Sequence, residues 1–398
     1  MNALERDPRR RYRDRQSSER PELRLFFPYP PSVASATPYL CNRRCSCCKE
    51  VAQHLSARRR REIGLSGKIR TIYDLAKLAG VSAATVSRAL ARKDVVNSET
   101  SERIRKLAEQ HDFRPSALAR NLRTRRRGAI GVVVPLGHDR GQHLSDPFFM
   151  TLIGCLADEL TESGFDLMLS RVIPNQDNWL SKLIDADRVD GFIVIGQSDQ
   201  SGVLDRIAAN YLPMVAWGGF VQGQIHCSIG TDNFLGGRLA TQHLIDRGCR
   251  KIAFLGNTQA IEPSLRLEGA KAAIRARDDI ILVDTPTHFA SEVSGSDIAD
   301  FLSQIGDPPD GIFAASDLIA LTAIQVLATR GLSVPGDVKV IGYDDLYLAR
   351  TSAPPLSTVR QNIAAGASHL VGNLMKRIGG EVTGSVILNP ELVVRETT

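Results

Sequence analysis

The chain contains 398 residues, of which 43% are hydrophobic and 24% are charged. This length allows two or three domains, and the composition supports a large buried core. No apolar run approaches the ~18 residues that a membrane span requires, and residues 1–30 hold no continuous apolar segment of the kind found in secretory signals. The sequence therefore argues against a membrane-spanning or secreted protein and favours a cytoplasmic one.

The net charge of +6 is unevenly distributed along the chain. Residues 1–68 carry 16 basic and 7 acidic side chains, and residues 69–127 carry 14 and 6, whereas residues 128–398 carry 20 and 31. A basic front on an acidic body indicates that the front meets nucleic acid. A solvated basic tail would give the same balance, so charge alone does not decide between the two interpretations.

Residues 1–68 lack the patterns of a folded domain. They mix arginine runs with prolines and show no sustained hydrophobic period, so we interpret them as a disordered basic extension. An alternative hypothesis is that the natural protein starts further along, near Val51 or Leu65. The chain has seven cysteines, an odd number that does not suggest a disulfide framework, and four of them lie in this segment. Their spacing lacks paired zinc-ligand units, so we expect no metal site.

Residues 69–114 are predicted to form three short helices. Thr71 can cap the first, and Gly80 falls where the chain must turn sharply into the next. Ser82 can cap a second helix over 83–90, and Ser98 can cap a third. Two short helices joined by a tight turn that contains glycine are typical of a helix-turn-helix motif.

From residue 128 onward, short apolar segments alternate with amphipathic ones, which predicts parallel sheets built from βαβ units. The predicted strands are 130–135, 166–172, 191–195, 214–217, 251–255, 280–284, 311–314 and 338–343. The predicted helices lie near 148–163, 233–247, 264–276, 294–304 and 316–329. One barrel or two doubly wound sheets would both fit this pattern. Phosphate-binding glycine loops, zinc-protease motifs and nucleophile elbows are absent from the sequence, so we predict no enzyme, catalytic residue or cofactor.

The segments Ala79–Ser82 and Thr85–Arg88 resemble, in order and spacing, the recognition segment of the lactose-repressor (LacI) family. The resemblance extends from about residue 69 to 398. It implies that the second helix enters the major groove of operator DNA, where Arg88 could bond a guanine in bidentate fashion. The DNA-binding residues that it implies in the head are Thr71, Ser82, Ala83, Ala84, Thr85, Ser87 and Arg88. Because two of these are alanines, more of the specificity must come from Arg88, from the hinge or from DNA shape.

Residues 115–127 resemble the hinge helix and linker of the same family. The resemblance implies DNA contacts at Ser116, Ala119 and Leu122, with the leucine wedged between base pairs from the minor groove. A short isolated helix is marginal in water, so we expect the hinge to become ordered only on DNA.

For residues 128–398 the resemblance implies an effector-binding and dimerisation core. The predicted fold class is thus α/β, with an N-terminal helix-turn-helix head and hinge helix. A two-lobed core like that of periplasmic binding proteins follows, with doubly wound parallel sheets. The expected lobes are about 128–229 with 354–380, and 230–353 with 381–398. The cleft residues that the resemblance implies are Phe148, Phe149, Asp232, Arg266, Asp317 and Asp344.

Two departures from the family pattern accompany these matches. Asp146 stands where the family usually has asparagine, which changes the charge at the cleft, and Cys249 replaces a usual histidine.

Two functions from different classes fit the sequence. The first is a sequence-specific transcriptional regulator, a repressor that acts as a homodimer or larger homo-oligomer on palindromic operator DNA in the bacterial nucleoid. Its operator affinity would be switched by a small molecule, expected to be a sugar, bound between the lobes. The alternative is a sugar-binding or sugar-processing protein without a regulatory role. The head motif favours the first.

Overall fold

The computed structural model describes residues 69, 71–90, 96–113, 126–136, 141–197, 200–289 and 291–398. The described residues form two compact units, which separate after Phe113. The basic extension and the hinge residues Ser116, Ala119 and Leu122 lie outside the described residues. Within the described ranges, every helix is too short or too polar to cross a membrane.

The first unit contains the three helices that the sequence predicts. They are α1 (Ile72–Ala79), α2 (Ala83–Leu90) and α3 (Ser98–Gln110). One fully buried aliphatic side chain from each helix, Leu75, Val86 and Ile104, meets in a small common core. This packing fixes α2 on its neighbours, because helices this short are not stable alone in water.

Local signals determine where α1 and α2 begin and end. Thr71 Oγ1 accepts a hydrogen bond from the Asp74 amide at 3.2 Å, and the Asp74 carboxylate accepts one from the Thr71 amide at 3.0 Å. This reciprocal pair is a capping box. Gly80 ends α1 with a φ of +65°, a conformation that glycine adopts at little cost. Ser82 Oγ then accepts from the Thr85 amide at 3.1 Å and caps α2.

In the second unit, strands alternate with helices, with two exceptions. The elements in chain order are β1 (Ala129–Pro135), α4 (Pro147–Glu162), β2 (Asp166–Val172), α5 (Trp179–Asp185), β3 (Gly191–Ile195), α6 (Ser201–Ala208), β4 (Met214–Trp217), β5 (Ser228–Thr231), α7 (Asn233–Asp246), β6 (Lys251–Leu255), α8 (Ile261–Ile274), β7 (Ile281–Thr285), α9 (Ser291–Gln304), β8 (Gly311–Ala314), α10 (Asp317–Thr329), β9 (Lys339–Asp344), α11 (Tyr347–Thr351), β10 (Ser357–Arg360), α12 (Ile363–Ile378), β11 (Val386–Leu388) and β12 (Glu391–Val393). The exceptions are that β5 follows β4 directly and β12 follows β11 directly.

The strands form two sheets, so the barrel alternative is excluded. Among the described residues, each sheet has six strands, in the orders β11-β5-β4-β3-β1-β2 and β12-β10-β9-β8-β6-β7. All pairs are parallel except β10 with β12. We call the first sheet with its helices the first lobe and the second sheet with its helices the second lobe. The predicted α/β fold with two doubly wound parallel sheets is confirmed.

The chain passes between the lobes at positions that differ from the expected ones near its end. Residues 354–360 were expected in the first lobe, but β10 pairs with β9 in the second sheet. Residues 381–398 were expected in the second lobe; β12 lies there and pairs with β10, but β11 pairs with β5 at the edge of the first sheet. The physical reason is the same in both cases: each short strand pairs with a strand that has an open edge, β10 with β9 in the second sheet and β11 with β5 in the first, which places the crossovers after β5, β10 and β11.

Two helices of the second lobe approach each other unusually closely. A Cβ at Gly237 of α7 would lie 1.9 Å from the Arg266 carbonyl oxygen, and a Cβ at Gly269 of α8 would lie 2.0 Å from the Phe234 carbonyl oxygen. Only glycine permits this approach. The contact fixes α8, which carries Arg266, against α7.

Candidate functional site

The outer face of α2 offers a compact polar surface. Ala84 and Arg88 are exposed and lie four residues apart, so they share one face of the helix. Ala83, Thr85 and Ser87 are half-buried, while Val86 and Ala89 point into the core. The exposed Thr71 and Ser82 lie at the N-terminal ends of α1 and α2. The first unit thus brings the seven predicted head residues to α2 and to the start of α1.

Sequence patterns did not single out one exposed aromatic residue of this unit. Tyr73, on the first turn of α1, leaves 69% of its surface exposed. An exposed tyrosine beside a helix N-terminus is suited to contact a phosphate or a base. The only signal available from sequence was its place next to the predicted cap at Thr71.

A cavity that is partly open to solvent lies in the second unit at the carboxyl ends of both sheets. This is where open α/β sheets bind ligands. The lining residues come from both lobes and are Pro135, Leu136, Gln142, Asp146, Phe148, Phe149, Ile195, Gly196, Trp217, Ala260, Glu262, Pro263, Arg266, Phe289, Ser316, Leu318, Asp344, Leu346 and Gln361.

The first lobe contributes an aromatic wall to this cavity. The Phe148 ring lies 5.9 Å from the Phe149 ring and 6.0 Å from the Trp217 ring, measured between centroids. Asp146 caps the helix that carries both phenylalanines by accepting from the Phe148 amide at 2.9 Å, and Pro147 begins that helix. The predicted pair Phe148 and Phe149 therefore lies on the wall, together with Trp217.

The second lobe contributes Arg266, which is only 6% exposed. Its Nε donates to Asn233 Oδ1 at 2.8 Å, and its Nη1 donates to the Ala315 carbonyl. The guanidinium carbon lies 3.7 Å from the centre of the Tyr343 ring, a cation–π arrangement. These contacts hold the charged group at the cavity wall.

Asp344, 4% exposed, ends β9 beside Arg266. Its Oδ1 accepts from Gln361 Nε2 at 2.5 Å, and its backbone has a φ of +122°, which is uncommon for a non-glycine residue. Burial raises the pKa of this carboxyl group to about 7, although Arg266 acts in the opposite direction. A strained, buried carboxylate at a cavity wall is typical of a functional site.

This raised pKa makes the stability of the protein depend on pH. Between the unfolded pKa of about 4 and the folded pKa of about 7, the folded state holds a proton that the unfolded state has released. The free energy of unfolding should therefore fall as pH rises from about 4 to 7. Urea unfolding at pH 5, 6, 7 and 8 measures this fall, which Asp344→Asn should reduce. An unchanged slope in the variant would contradict the assignment. Burial also raises the pKa of Asp317, so part of the slope should remain.

Two predicted cleft residues do not line the cavity. Asp232 Oδ1 accepts from the Leu235 amide at 2.9 Å and caps α7. Asp317 is fully buried, where its carboxylate accepts from the Leu346 amide at 2.8 Å and from Thr358 Oγ1 at 2.5 Å. Asp317 begins α10, and its side chain turns toward β10 inside the second lobe, which is why it misses the cavity. Ser316, the cap of α10, lines the cavity instead.

Several polar residues that line the cavity were not predicted as cleft residues, namely Gln142, Glu262, Ser316 and Gln361. Glu262 has an additional contact, because its Oε1 accepts from the Gly219 amide of the first lobe at 3.2 Å. Its place in the first turn of α8 was a weak signal, since helix starts favour acidic residues in general. The glutamines lie outside any recognisable motif.

Comparisons with known proteins agree with this architecture. The profile of "Bacterial regulatory proteins, lacI family" matches residues 71–116, and that of "Periplasmic binding protein-like domain" matches residues 241–398. The chain is 30% identical over 336 residues to the "HTH-type transcriptional repressor PurR" of Histophilus somni (strain 129Pt), covering 82% of this chain and 98% of the relative. The protein with the same description from Actinobacillus pleuropneumoniae serotype 3 (strain JL03) is 32% identical over 343 residues, with the same coverage.

Solved structures give the same result. The lac repressor dimer bound to operator and the anti-inducer ONPF matches with a TM-score of 0.70 and 27% identity, covering 82% of this chain and 98% of that one. The complex of the transcriptional regulator CelR with cellobiose matches with a TM-score of 0.59 and 28% identity, covering 82% and 99%. With its helix-turn-helix unit, its two-lobed core and these relatives, the chain belongs to the lacI family of bacterial regulatory proteins.

Proposed function

We propose that the chain represses transcription by binding palindromic operator DNA as a homodimer or larger homo-oligomer, and that a sugar bound between the lobes changes this affinity. The observation that carries the proposal is the cavity. There the buried side chains of Arg266 and Asp344 from the second lobe face the aromatic wall of the first lobe. The protein acts without catalysis or a cofactor, in the cytoplasm and at the nucleoid. A binding protein without a regulatory role would have no use for the helix-turn-helix unit.

The cavity chemistry favours a sugar. Aromatic rings such as Phe148 and Trp217 pack against the apolar faces of sugar rings, while Arg266 and Asp344 can form paired hydrogen bonds with neighbouring hydroxyl groups. Related structures were solved with cellobiose and with ribose. The family likeness and the lining residues therefore point to the same class of effector.

The structure offers a route from the cavity to the linker. The two lobes contact each other beside the cavity, where Glu262 Oε1 accepts a hydrogen bond from the Gly219 amide. A ligand that contacts both walls of the cavity favours one arrangement of the two lobes. Where the linker enters the first lobe, the Asp190 carboxylate accepts from the amides of Arg127 and Gly128 at 2.8 and 2.7 Å. Moving this lobe moves the end of the linker. A ligand can exert control only by binding the two arrangements unequally, and the effect is reciprocal.

Substitution of Arg88 should affect both affinity and sequence preference. Arg88→Ala is expected to weaken operator binding by about 1–3 kcal/mol and to relax the preference at one base pair of each half-site, because a bidentate guanine contact is lost. Fluorescence anisotropy on the operator and on single-base variants measures both effects. Lys106→Ala, which removes an exposed charge from α3, is the control. A uniform loss on all sequences would show that Arg88 contacts phosphate only.

The proposal as a whole is tested by two titrations at one salt concentration. Operator fragments selected from random DNA should be palindromic and should bind two protomers per duplex. Neutral sugars, namely D-ribose, D-glucose, D-galactose, D-mannose and cellobiose, are then screened for a rise in melting temperature, which a ligand of the folded state produces by mass action. Binding to random DNA with equal affinity would refute the regulatory function.

A further inference from the structure

The cavity has an excess of negative charge. Among the described residues that line it, the ionisable ones are Asp146, Glu262 and Asp344, with Arg266 as the single cation. Two of the three nitrogens of that guanidinium already donate to Asn233 and to the Ala315 carbonyl. The cavity therefore holds more carboxylate charge than its own residues balance, an arrangement that is costly in a desolvated site.

Asp146 and Asp344 face the cavity from opposite lobes. Asp146 lies at the start of α4 in the first lobe, and Asp344 lies at the end of β9 in the second. Burial raises the pKa of both carboxyl groups, and the negative charge of Asp146 raises the pKa of Asp344 further. Like charges on two opposed walls repel each other and oppose close approach of the lobes.

A separate observation points to a missing donor at the same place. Gln142 is 6% exposed, and its Oε1 is buried without a hydrogen-bond partner in the described structure. Its Nε2 donates to Asp146 Oδ2 at 3.0 Å, so the unpartnered oxygen lies beside that carboxylate. Buried polar atoms are almost always satisfied, and a ligand with an N–H or O–H group at this position would satisfy this one.

We propose that the cavity takes a sugar-like ligand that carries an amino group, with its ammonium bonded by Asp146 and Gln142 of the first lobe and by Asp344 of the second. This inference rests on the proposed function and specifies its ligand class. The ammonium donates to acceptors on both walls and removes the repulsion between them, so it stabilises the arrangement in which the lobes are close. Anionic ligands such as sugar phosphates are rejected by the three carboxylates. Asp146 is thus the residue that determines charge selectivity.

The experiment compares matched ligands by isothermal titration calorimetry on the full chain at pH 7.5 and one salt concentration. For glucose, galactose and mannose, the neutral sugar, its 2-amino-2-deoxy form and its 6-phosphate are titrated. We expect the amino form of at least one sugar to bind at least 10-fold more tightly than its neutral partner, with no binding of the phosphate. In Asp146→Asn this preference should fall below about 3-fold. Asn is an equally good helix cap, so the variant should fold.

Asp232→Asn is the matched control, because it neutralises a helix-capping aspartate outside the cavity. It should retain the full preference for the amino form. The inference is overturned if a neutral or phosphorylated form binds most tightly, if no amino form binds, or if Asp146→Asn keeps the preference. If only the neutral sugars bind, this inference is wrong but the proposed function stands. The proposed function is refuted separately, if the protein does not prefer operator DNA to random DNA.

Discussion

Asp344→Ala is expected to weaken sugar binding by about 30-fold, because the loss of a hydrogen bond between a sugar hydroxyl and a charged carboxylate costs about 2 kcal/mol. Asp344 accepts from Gln361 and lies beside Arg266 on the cavity wall. The test uses the sugar that raises the melting temperature of the unsubstituted protein most. The variant should still bind operator DNA, but this sugar should no longer change its operator affinity. Anisotropy titrations of operator DNA with and without that sugar measure the response.

Folding should not confound this result. Burial already disfavours the charged form of Asp344, and Arg266 keeps its bonds to Asn233 and the Ala315 carbonyl in the variant. Asp344→Asn, which preserves the side-chain volume, provides a second test of the same loss. Asp177→Ala, at an exposed aspartate paired with Arg206, is the control and should leave the response unchanged. An Asp344→Ala protein that responds at the same sugar concentration would show that the site is misplaced.

Gly237→Ala should strongly destabilise the second unit. Its Cβ would lie 1.9 Å from the Arg266 carbonyl oxygen, so α7 and α8 must separate. Overpacking of this kind costs typically 1–3 kcal/mol and sometimes more, which corresponds to a fall in melting temperature of roughly 2–5 °C in a unit of this size. Because α8 carries Arg266, sugar affinity should fall as well. Thermal unfolding and calorimetry measure the two effects.

Gly372→Ala is the matched control for this substitution. Gly372 lies within α12, and a Cβ there would meet no heavy atom within 4 Å. Alanine favours the helix over glycine, so this variant should gain up to about 1 kcal/mol. Equal effects of the two substitutions would contradict the close approach of α7 and α8.

Hydrophobic patterning predicted the central strands within about one residue but failed at the periphery. The predicted strand 191–195 is β3, Gly191–Ile195, because a continuous apolar run marks a strand covered on both faces. By contrast, β11 and β12 have three residues each and no usable period. The helix α12 was missed because two glycines interrupt its pattern. One of them, Gly366, is required because its Cβ would lie 2.2 Å from the Trp217 ring.

The candidate site was predictable where charge follows a buried strand. Asp344 lies at the cavity, as expected from its place at the end of a buried strand, and Arg266 in α8 lies there as the family resemblance implies. Asp317 also follows a buried strand, but its side chain points into the second lobe and accepts from Thr358. The packing around the start of α10 sets this direction, and the sequence does not reveal that packing. Gln142 and Gln361 could not be predicted, because uncharged amides acquire their role only from the partners that folding brings to them.

One operator titration of the purified full chain tests whether the protein is a repressor that responds to a sugar. A palindromic fragment selected from random DNA and a scrambled fragment of equal length are titrated side by side at physiological salt, with and without the best-binding sugar. We expect at least about 1,000-fold preference for the palindrome, two protomers per duplex, and a change in the affinity for the palindrome when the sugar is present. Equal affinity for both fragments, or an operator affinity that no bound sugar alters, would refute the proposed function.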